Sequence, residues 1–322
     1  MANRLGRILS ALLTLLACSL GPAAHGQDFD GPMARRDLLE YNILPSDADP
    51  GITRFNETNV VLFNRAAGPQ APLVVFLPGT GGAPKFTEFL SHVVADLGYN
   101  VIGLEYNSLP FGNQVCWKVA APECLAKFRE KRTFGTNVTD LIDDTPEESI
   151  RTRLVKLLQY LDRHHPEQGW SAYLRDGEPR WDRLVVSGLS QGAGMAAYIA
   201  KLKRVERVVL FSSPWDTVQA TKQPSPWLYT ESKTPLEHWF AEYHARENTV
   251  DMIVPAYKAL AIPQNHILVF NLDMPPARNG GDNPFHGSTV HLRGYIPRWR
   301  FMFGHPCPGP DHEEILQHAC SF

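Results

Sequence analysis

Leu184-Val185-Val186-Ser187-Gly188-Leu189-Ser190-Gln191-Gly192-Ala193-Gly194-Met195-Ala196-Ala197-Tyr198-Ile199-Ala200 is the stretch that decides the fold. Leu184 to Ser187 is a short apolar run and reads as a buried strand. From Ala193 to Ala200 the residues are small or apolar, and the segment Ala193 to Leu202 reads as a helix. Only G-x-S-x-G lies between them. A turn that tight strains the serine backbone, leaves no room for a side chain at Gly188 or Gly192, and lifts the Ser190 hydroxyl out of the sheet. It also sets that hydroxyl at a helix N-terminus, whose dipole favours developing negative charge. The pattern alone also fits an ordinary strand-to-helix turn. The flanking strand and helix make it a site that presents a nucleophile.

Outward from this turn, short apolar runs alternate with amphipathic stretches, which predicts an α/β fold with a mainly parallel sheet flanked by helices. Strands are expected at Asn59 to Asn64, Leu73 to Leu77, Val101 to Tyr106, Arg207 to Phe211, His238 to His244 and Ile267 to Asn271. Phe86, Phe89, Leu90, Val93, Val94 and Leu97 recur at helical spacing, and Gly98 stops that helix. Thr145-Pro146-Glu147-Glu148 carries the cap, first-turn proline and capping-box glutamate of a helix start. Ile150, Leu154, Leu157, Leu158 and Leu161 would be its buried stripe. Asp251 to Leu260 reads as a further helix, and a terminal helix is expected near Asp311 to His318. Residues 107–144 interrupt the alternation as a long insertion. Residues 214–235, rich in Pro, Trp and Thr, read as a loop or small lid. Trp215, Trp227, Tyr229, Trp239 and Phe240 cluster in and just after it. They read first as packing and second as an apolar acyl pocket.

The chain resembles the α/β-hydrolase superfamily. The resemblance covers nearly the whole chain after residue 26 by order of elements. Its specific parts are Leu77-Pro78-Gly79-Thr80-Gly81-Gly82, the Gly188-Leu189-Ser190-Gln191-Gly192 elbow and a His-Gly-Ser segment at His286. The glycine loop and the S-Q-G elbow are similar to those of exported bacterial serine hydrolases. The S-Q-G tripeptide is also similar to that of cutinases and small carboxylesterases. The resemblance implies Ser190 as nucleophile, with an oxyanion hole built from the amide of Gln191 and that of Thr80 or Gly81. It implies the chain order serine, acid, histidine. Of the histidines after Asn271 (His286, His291, His305, His312 and His318), His286 lies in a Gly-rich loop and is the expected base. Glu247, after the strand ending at His244, or Asp216, after an earlier strand, is the expected acid. Asp251 and Asp273 are weaker candidates. Such a triad forms and hydrolyses an acyl-enzyme without metal or cofactor, and a carboxylic ester of small-molecule or polymeric kind is the expected substrate. A thioesterase or peptidase uses the same triad. A catalytically silent binding protein can share the fold. Aspartate instead of Ser190 would have pointed to a dehalogenase.

Gly79-Thr80-Gly81-Gly82 matches neither G-x-x-x-x-G-K-[ST] nor G-x-G-x-x-G, so a nucleotide loop is not expected. No C-x-x-C occurs, and His312 and His318 are six apart, so no metal site is expected. With 31 basic and 34 acidic residues in 322, the chain has no basic bias toward nucleic acid. Arg4 and Arg7 followed by the apolar stretch Ile8 to Leu20 and by Ala24-His25-Gly26 read as a secretory signal peptide, with residues 27–322 as a single domain. The apolar stretch is too short for a permanent span. Leu15-Leu16-Ala17-Cys18 is a rival lipobox that would anchor Cys18. Removing residues 1–26 moves the net charge from -3 to about -5. The expected location is secreted or periplasmic, and the expected state is a monomer. The four cysteines beyond Cys18 are expected to pair locally, Cys116 with Cys124 and Cys307 with Cys320.

Overall fold

The computed structural model describes residues 37–274 and 282–305. One sheet holds β1 (Leu38–Ile43), β2 (Asn59–Asn64), β3 (Leu73–Leu77), β4 (Asn100–Gly103), β5 (Leu184–Leu189), β6 (Arg207–Phe211), β7 (Trp239–His244) and β8 (Ile267–Phe270). Its order is β1-β2-β4-β3-β5-β6-β7-β8. β2 is antiparallel to both neighbours, and the pairings from β4 to β8 are parallel. An antiparallel leading pair, a swap of β3 and β4, and a parallel remainder make up the α/β-hydrolase fold. The expected fold class holds.

The parallel strands are buried on both faces, which is why their sequences are continuous apolar runs rather than alternating ones. Leu73, Val75, Leu184, Val186, Val208 and Leu210 point to one layer. Val74, Phe76, Val185 and Val209 point to the other. The first layer is closed by α3 (Cys124–Phe134), α4 (Ile150–His164), α5 (Gln191–Leu202) and α6 (Val250–Ala259); the second by α1 (Glu88–Ala95) and α7 (Ile296–Met302). The α4 stripe of Ile150, Leu154, Leu157, Leu158 and Leu161 is buried as predicted. Each such side chain contributes about 1.5–3 kcal/mol relative to exposure.

Several local expectations are corrected. β1 was not foreseen, because Leu38-Leu39-Glu40-Tyr41-Asn42-Ile43 is a partly exposed edge strand without clean alternation. The Thr145–Glu148 capping box closes a 3-10 turn, and Ser149, whose side chain accepts from the Thr152 amide, caps α4 itself. Residues 107–144 contain the short α2 (Gly112–Cys116) and α3, joined by the expected Cys116–Cys124 disulfide. Residues 214–235 are more than a loose lid. Trp227 and Leu228 are core residues, and Thr217–Val218 pairs with Gln223–Pro224. α7 was missed because Arg293-Gly294-Tyr295-Ile296-Pro297 reads as a loop, yet Pro297 suits the first helical turn. The leader, Cys307–Cys320 and the terminal helix lie outside the described residues.

Candidate active site

The C-terminal ends of the parallel strands collect the predicted residues, as open α/β sheets do for their ligands. Ser190 follows β5 with φ 55° and ψ -121°, a strained conformation for a residue with a Cβ. The strain is imposed by close packing. A Cβ on Gly192 would lie 2.0 Å from the Leu77 carbonyl oxygen, and one on Gly188 would lie 2.5 Å from Gly192 C. The elbow can therefore pass beside β3 only with glycine on both sides. Ser190 N donates to the Phe211 carbonyl at 2.9 Å, which ties the turn to β6.

Glu247 lies three residues beyond β7, and His286 lies beyond β8. His286 Nδ1 is 2.7 Å from Glu247 Oε2. The Glu247 side chain is fully buried and His286 is one-fifth exposed. Ser212 Oγ donates to Glu247 Oε1 at 2.6 Å, the His244 amide donates to the same oxygen at 2.7 Å, and Thr249 Oγ1 donates to Oε2 at 3.1 Å. Arg246, next to Glu247 in sequence, pairs with Asp273 at 2.7 Å rather than with Glu247.

Asp216 does not join this group. Its oxygens accept from Arg129 Nε at 2.6 Å, Arg129 Nη2 at 2.5 Å and Trp227 Nε1 at 2.8 Å. Both members of the ion pair are buried. Arg129 belongs to α3 in the disulfide-bridged insertion, and its guanidinium lies under the first turns of α5. A Cβ on Gly194 would meet it at 2.3 Å. Asp216 thus fastens the insertion and the segment bearing Trp215 and Trp227 to the elbow helix.

In the loop after β3, Gly81 N donates to Ser108 Oγ at 3.1 Å, so this amide is already committed. The Gln191 carboxamide donates to the Ser108 carbonyl at 2.6 Å. Ser108 thereby links the glycine loop to the residue after the elbow serine. The Ser108 region is held in turn by Asn107, which donates to Asp144, and by Arg132, which donates to Asp144 and to the carbonyls of Leu109 and Pro110.

Ser190, His286 and Thr80 line one open cavity of about 780 Å³. Pro78, Phe86, Phe111, Leu189, Trp215 and Met252 supply its apolar wall, and among the described residues it is lined by no Lys, Arg, Asp or Glu. Trp215 stands edge-on to His286 with ring centres 6.3 Å apart, and Phe111 stacks on Trp215 at 6.5 Å. Of the aromatic cluster read from the sequence, only Trp215 lines this cavity. Trp239 is wholly core, and Tyr229 is exposed. Phe86, read from its spacing as part of the helix stripe, lies instead in the 3-10 turn before α1, exposed and on the cavity wall; Phe111 was not singled out from the sequence. His291 also lines the cavity, with Nδ1 at 2.5 Å from the Gly287 carbonyl and Nε2 at 2.7 Å from that of Phe86. His305 Nε2 faces the Leu97 carbonyl at 3.0 Å. His312 and His318 lie outside the described residues.

Ser108, Ser212, Thr249 and Arg129 were not singled out from the sequence. The one available signal was position, since Ser212 and Thr249 follow parallel strands that end at the site. Glu40, Glu88 and His92 bring ligand-type atoms within 4.8 Å of one another. Lys85, which pairs with Glu88 and lies 3.9 Å from Glu40, already supplies a positive charge there. No helix among the described residues is long and apolar enough to cross a membrane.

No family model matches the sequence. No curated protein matches it. Among solved structures, the chain is similar to carboxyl esterase 2 from the mycorrhizal fungus Tuber melanosporum, at 11% identity and a TM-score of 0.41, over 74% of this chain and 76% of that one. It is also similar to a Klebsiella pneumoniae protein described as a dienelactone hydrolase, at 14% identity and a TM-score of 0.44, over 84% of this chain and 99% of that one. The strand order, rather than either likeness, defines the α/β-hydrolase fold of this chain.

Proposed function

We propose that the protein is an exported serine hydrolase that cleaves uncharged carboxylic esters through an acyl-enzyme on Ser190. The observation that carries this reading is a strained elbow serine and His286, backed by the buried Glu247, on one apolar cavity that among the described residues is lined by no Lys, Arg, Asp or Glu. In this mechanism the Ser190 hydroxyl attacks the ester carbonyl and His286 Nε2 takes its proton. Glu247 holds Nδ1–H and stabilises the imidazolium. The tetrahedral oxyanion is met by the amides of Gln191 and Thr80, while Gly81 stays engaged with Ser108. His286 then protonates the departing alcohol. Water repeats the sequence on the acyl-enzyme. The cavity wall of Phe86, Phe111, Trp215 and Met252 supports an apolar or aromatic acyl part rather than a charged one. Export is supported by the leader-like residues 1–26 and by the Cys116–Cys124 disulfide.

The test is reaction of residues 27–322 with a fluorophosphonate probe, peptide mapping, and turnover of p-nitrophenyl esters beside thioester and peptide substrates. Stoichiometric label on Ser190, lost in Ser190→Ala and His286→Ala, with ester turnover, is the expected result. No label on folded protein would sink the mechanism and leave a binding protein. Label with faster thioester or peptide cleavage would move the substrate class.

A further inference from the structure

Behind the Glu247–His286 pair lies a second carboxyl that the mechanism above does not use. Glu242 sits on β7, wholly buried. Its side chain points away from the Trp239 layer, into the layer of Phe211, Phe270 and Tyr295. Ser212 Oγ lies 3.5 Å from Glu242 Oε1 and 2.6 Å from Glu247 Oε1, so one hydroxyl stands between two carboxyls. Ser212 is held there with φ 53°, and its amide donates to the Glu242 carbonyl at 3.0 Å. Thr289, on the turn that follows His286, lies near enough to the Glu242 carboxyl to act on it, and its hydroxyl donates to the His286 carbonyl at 3.2 Å. Glu242 therefore meets the acid side of the pair through Ser212.

The two carboxyls are not equivalent. Glu247 accepts from Ser212, His244 and Thr249 and faces His286. Glu242 Oε2 has no hydrogen-bond partner among the described residues. Two carboxyls sharing one hydroxyl in a buried place cannot both be charged, and the charge settles where the donors are. Burial, and then the charge of Glu247, hold the Glu242 carboxyl well above the usual range. The other titratable groups acting on it are Tyr257 from α6, and Tyr295 and Arg298 from the last helical segment. Tyr257 OH meanwhile donates to the Glu242 carbonyl at 2.6 Å, which fixes the backbone there.

A Ser hydroxyl has one proton to give. We infer that Glu242 is a positioning residue for the Glu247–His286 pair: its carboxylic acid donates to Ser212 Oγ, which turns the Ser212 proton onto Glu247 Oε1 and fixes the carboxylate that orients His286. This rests on the serine-hydrolase reading. It makes the acid side of the site a chain of four groups, Glu242, Ser212, Glu247 and His286.

The experiment measures kcat and KM on p-nitrophenyl butyrate, and the rate of fluorophosphonate labelling, for the wild type, Glu242→Met, Glu242→Gln, Ser212→Ala and the Glu242→Met/Ser212→Ala pair. Glu242→Met is expected to lower kcat and labelling about tenfold with KM within about twofold, as for a group that acts on the chemical step. Glu242→Gln, whose amide can donate to Ser212 Oγ, is expected to restore most of the loss. Ser212→Ala should be as slow as Glu242→Met, and combining them should add nothing. Wild-type rates in Glu242→Met or Ser212→Ala, losses that multiply in the pair, or Glu242→Gln as slow as Glu242→Met would each overturn the proposal. Should Glu242→Met not fold, Ser212→Ala against Glu242→Gln carries the same decision, because a fast Ser212→Ala or a slow Glu242→Gln overturns it. A wild type that neither turns over ester nor takes label would overturn the serine-hydrolase reading, and with it this proposal.

Discussion

Glu247 Oε2 lies 2.7 Å from His286 Nδ1, and the same carboxylate is fixed by Ser212, by the His244 amide and by Thr249. A carboxylate held at both oxygens cannot swing away from the imidazole. Its orientation is built into the ends of β6 and β7 before any substrate arrives.

Glu247→Gln should therefore lower kcat roughly a thousandfold or more, by offering Nδ1 the wrong hydrogen-bonding partner. KM and the thermal unfolding midpoint should change little. Steady-state kinetics on a p-nitrophenyl ester decide it. A loss of less than tenfold in a folded variant would remove Glu247 from the triad.

Asp216→Asn should behave in the opposite way. It leaves the buried Arg129 guanidinium partly uncompensated, and breaking a buried pair costs about 3–5 kcal/mol. Urea titration should show that loss, and Arg129→Met should show one of similar size. Labelling of the folded fraction by fluorophosphonate should persist. Full stability with abolished labelling would restore Asp216 as the acid.

Ser108→Ala removes the acceptor that anchors the Gly81 amide. The glycine loop then loses a restraint beside the proposed Thr80 donor, and kcat should fall about tenfold, less than the loss of an oxyanion donor itself. Gln191→Ala, which frees the Ser108 carbonyl, should give a loss in the same range. Unchanged kcat in both variants would show that the loop holds its shape without Ser108.

Trp215→Ala should discriminate between acyl lengths. Trp215 forms part of the cavity wall next to His286. Removing its ring should lower kcat/KM for a long or aromatic acyl ester about tenfold, since burying a side-chain-sized apolar group is worth about 1.5–3 kcal/mol. The acetyl ester should be much less affected. Equal losses on acetyl and long-chain esters would place the acyl group elsewhere.

Glu105 gives a prediction on stability against pH. It is buried beside Arg153, its Oε2 has no hydrogen-bond partner among the described residues, and burial pushes its carboxyl up to about 7 from an ordinary 4.5. Between those values the folded chain holds a proton that the unfolded chain releases. The contribution of Glu105 is fully favourable below about 4.5 and is lost as pH rises to about 7. Glu105→Gln should match the wild type near pH 4.5 and exceed it by at most about 3–4 kcal/mol at pH 8, the size of that shift in free energy. Chemical denaturation at both pH values measures the gap. A gap that shrinks with pH would contradict the assignment.

Local sequence carried much of this. Leu73 to Leu77, Arg207 to Phe211 and Leu184 to Ser187 are legible as strands because buried parallel strands need unbroken apolar runs. The α4 stripe is legible because its period is helical. β1 and α7 were not, since an edge strand with Glu40 and Asn42 and a helix opening on Ile296-Pro297 carry no clean period. At the site, Ser190 and the glycines around it announced themselves by a turn that tolerates few other residues. Ser212, Thr249, Ser108 and Glu242 carry no spacing signal at all.

What the sequence by itself determined is the elbow, the α/β alternation and a short set of histidine and acid candidates. These depend on period, turn chemistry and chain order, which are local. What only the tertiary structure decided is which acid meets His286. Glu247 and Asp216 both follow parallel strands, and nothing in their neighbours ranks them. The choice lies with Arg129, which reaches Asp216 from 87 positions away in the chain, and with Ser212, which reaches Glu247 from 35 positions away. A buried carboxylate goes to whichever cation or donors the fold delivers, because charge without partners is not tolerated in the core. That delivery is a property of the packed chain.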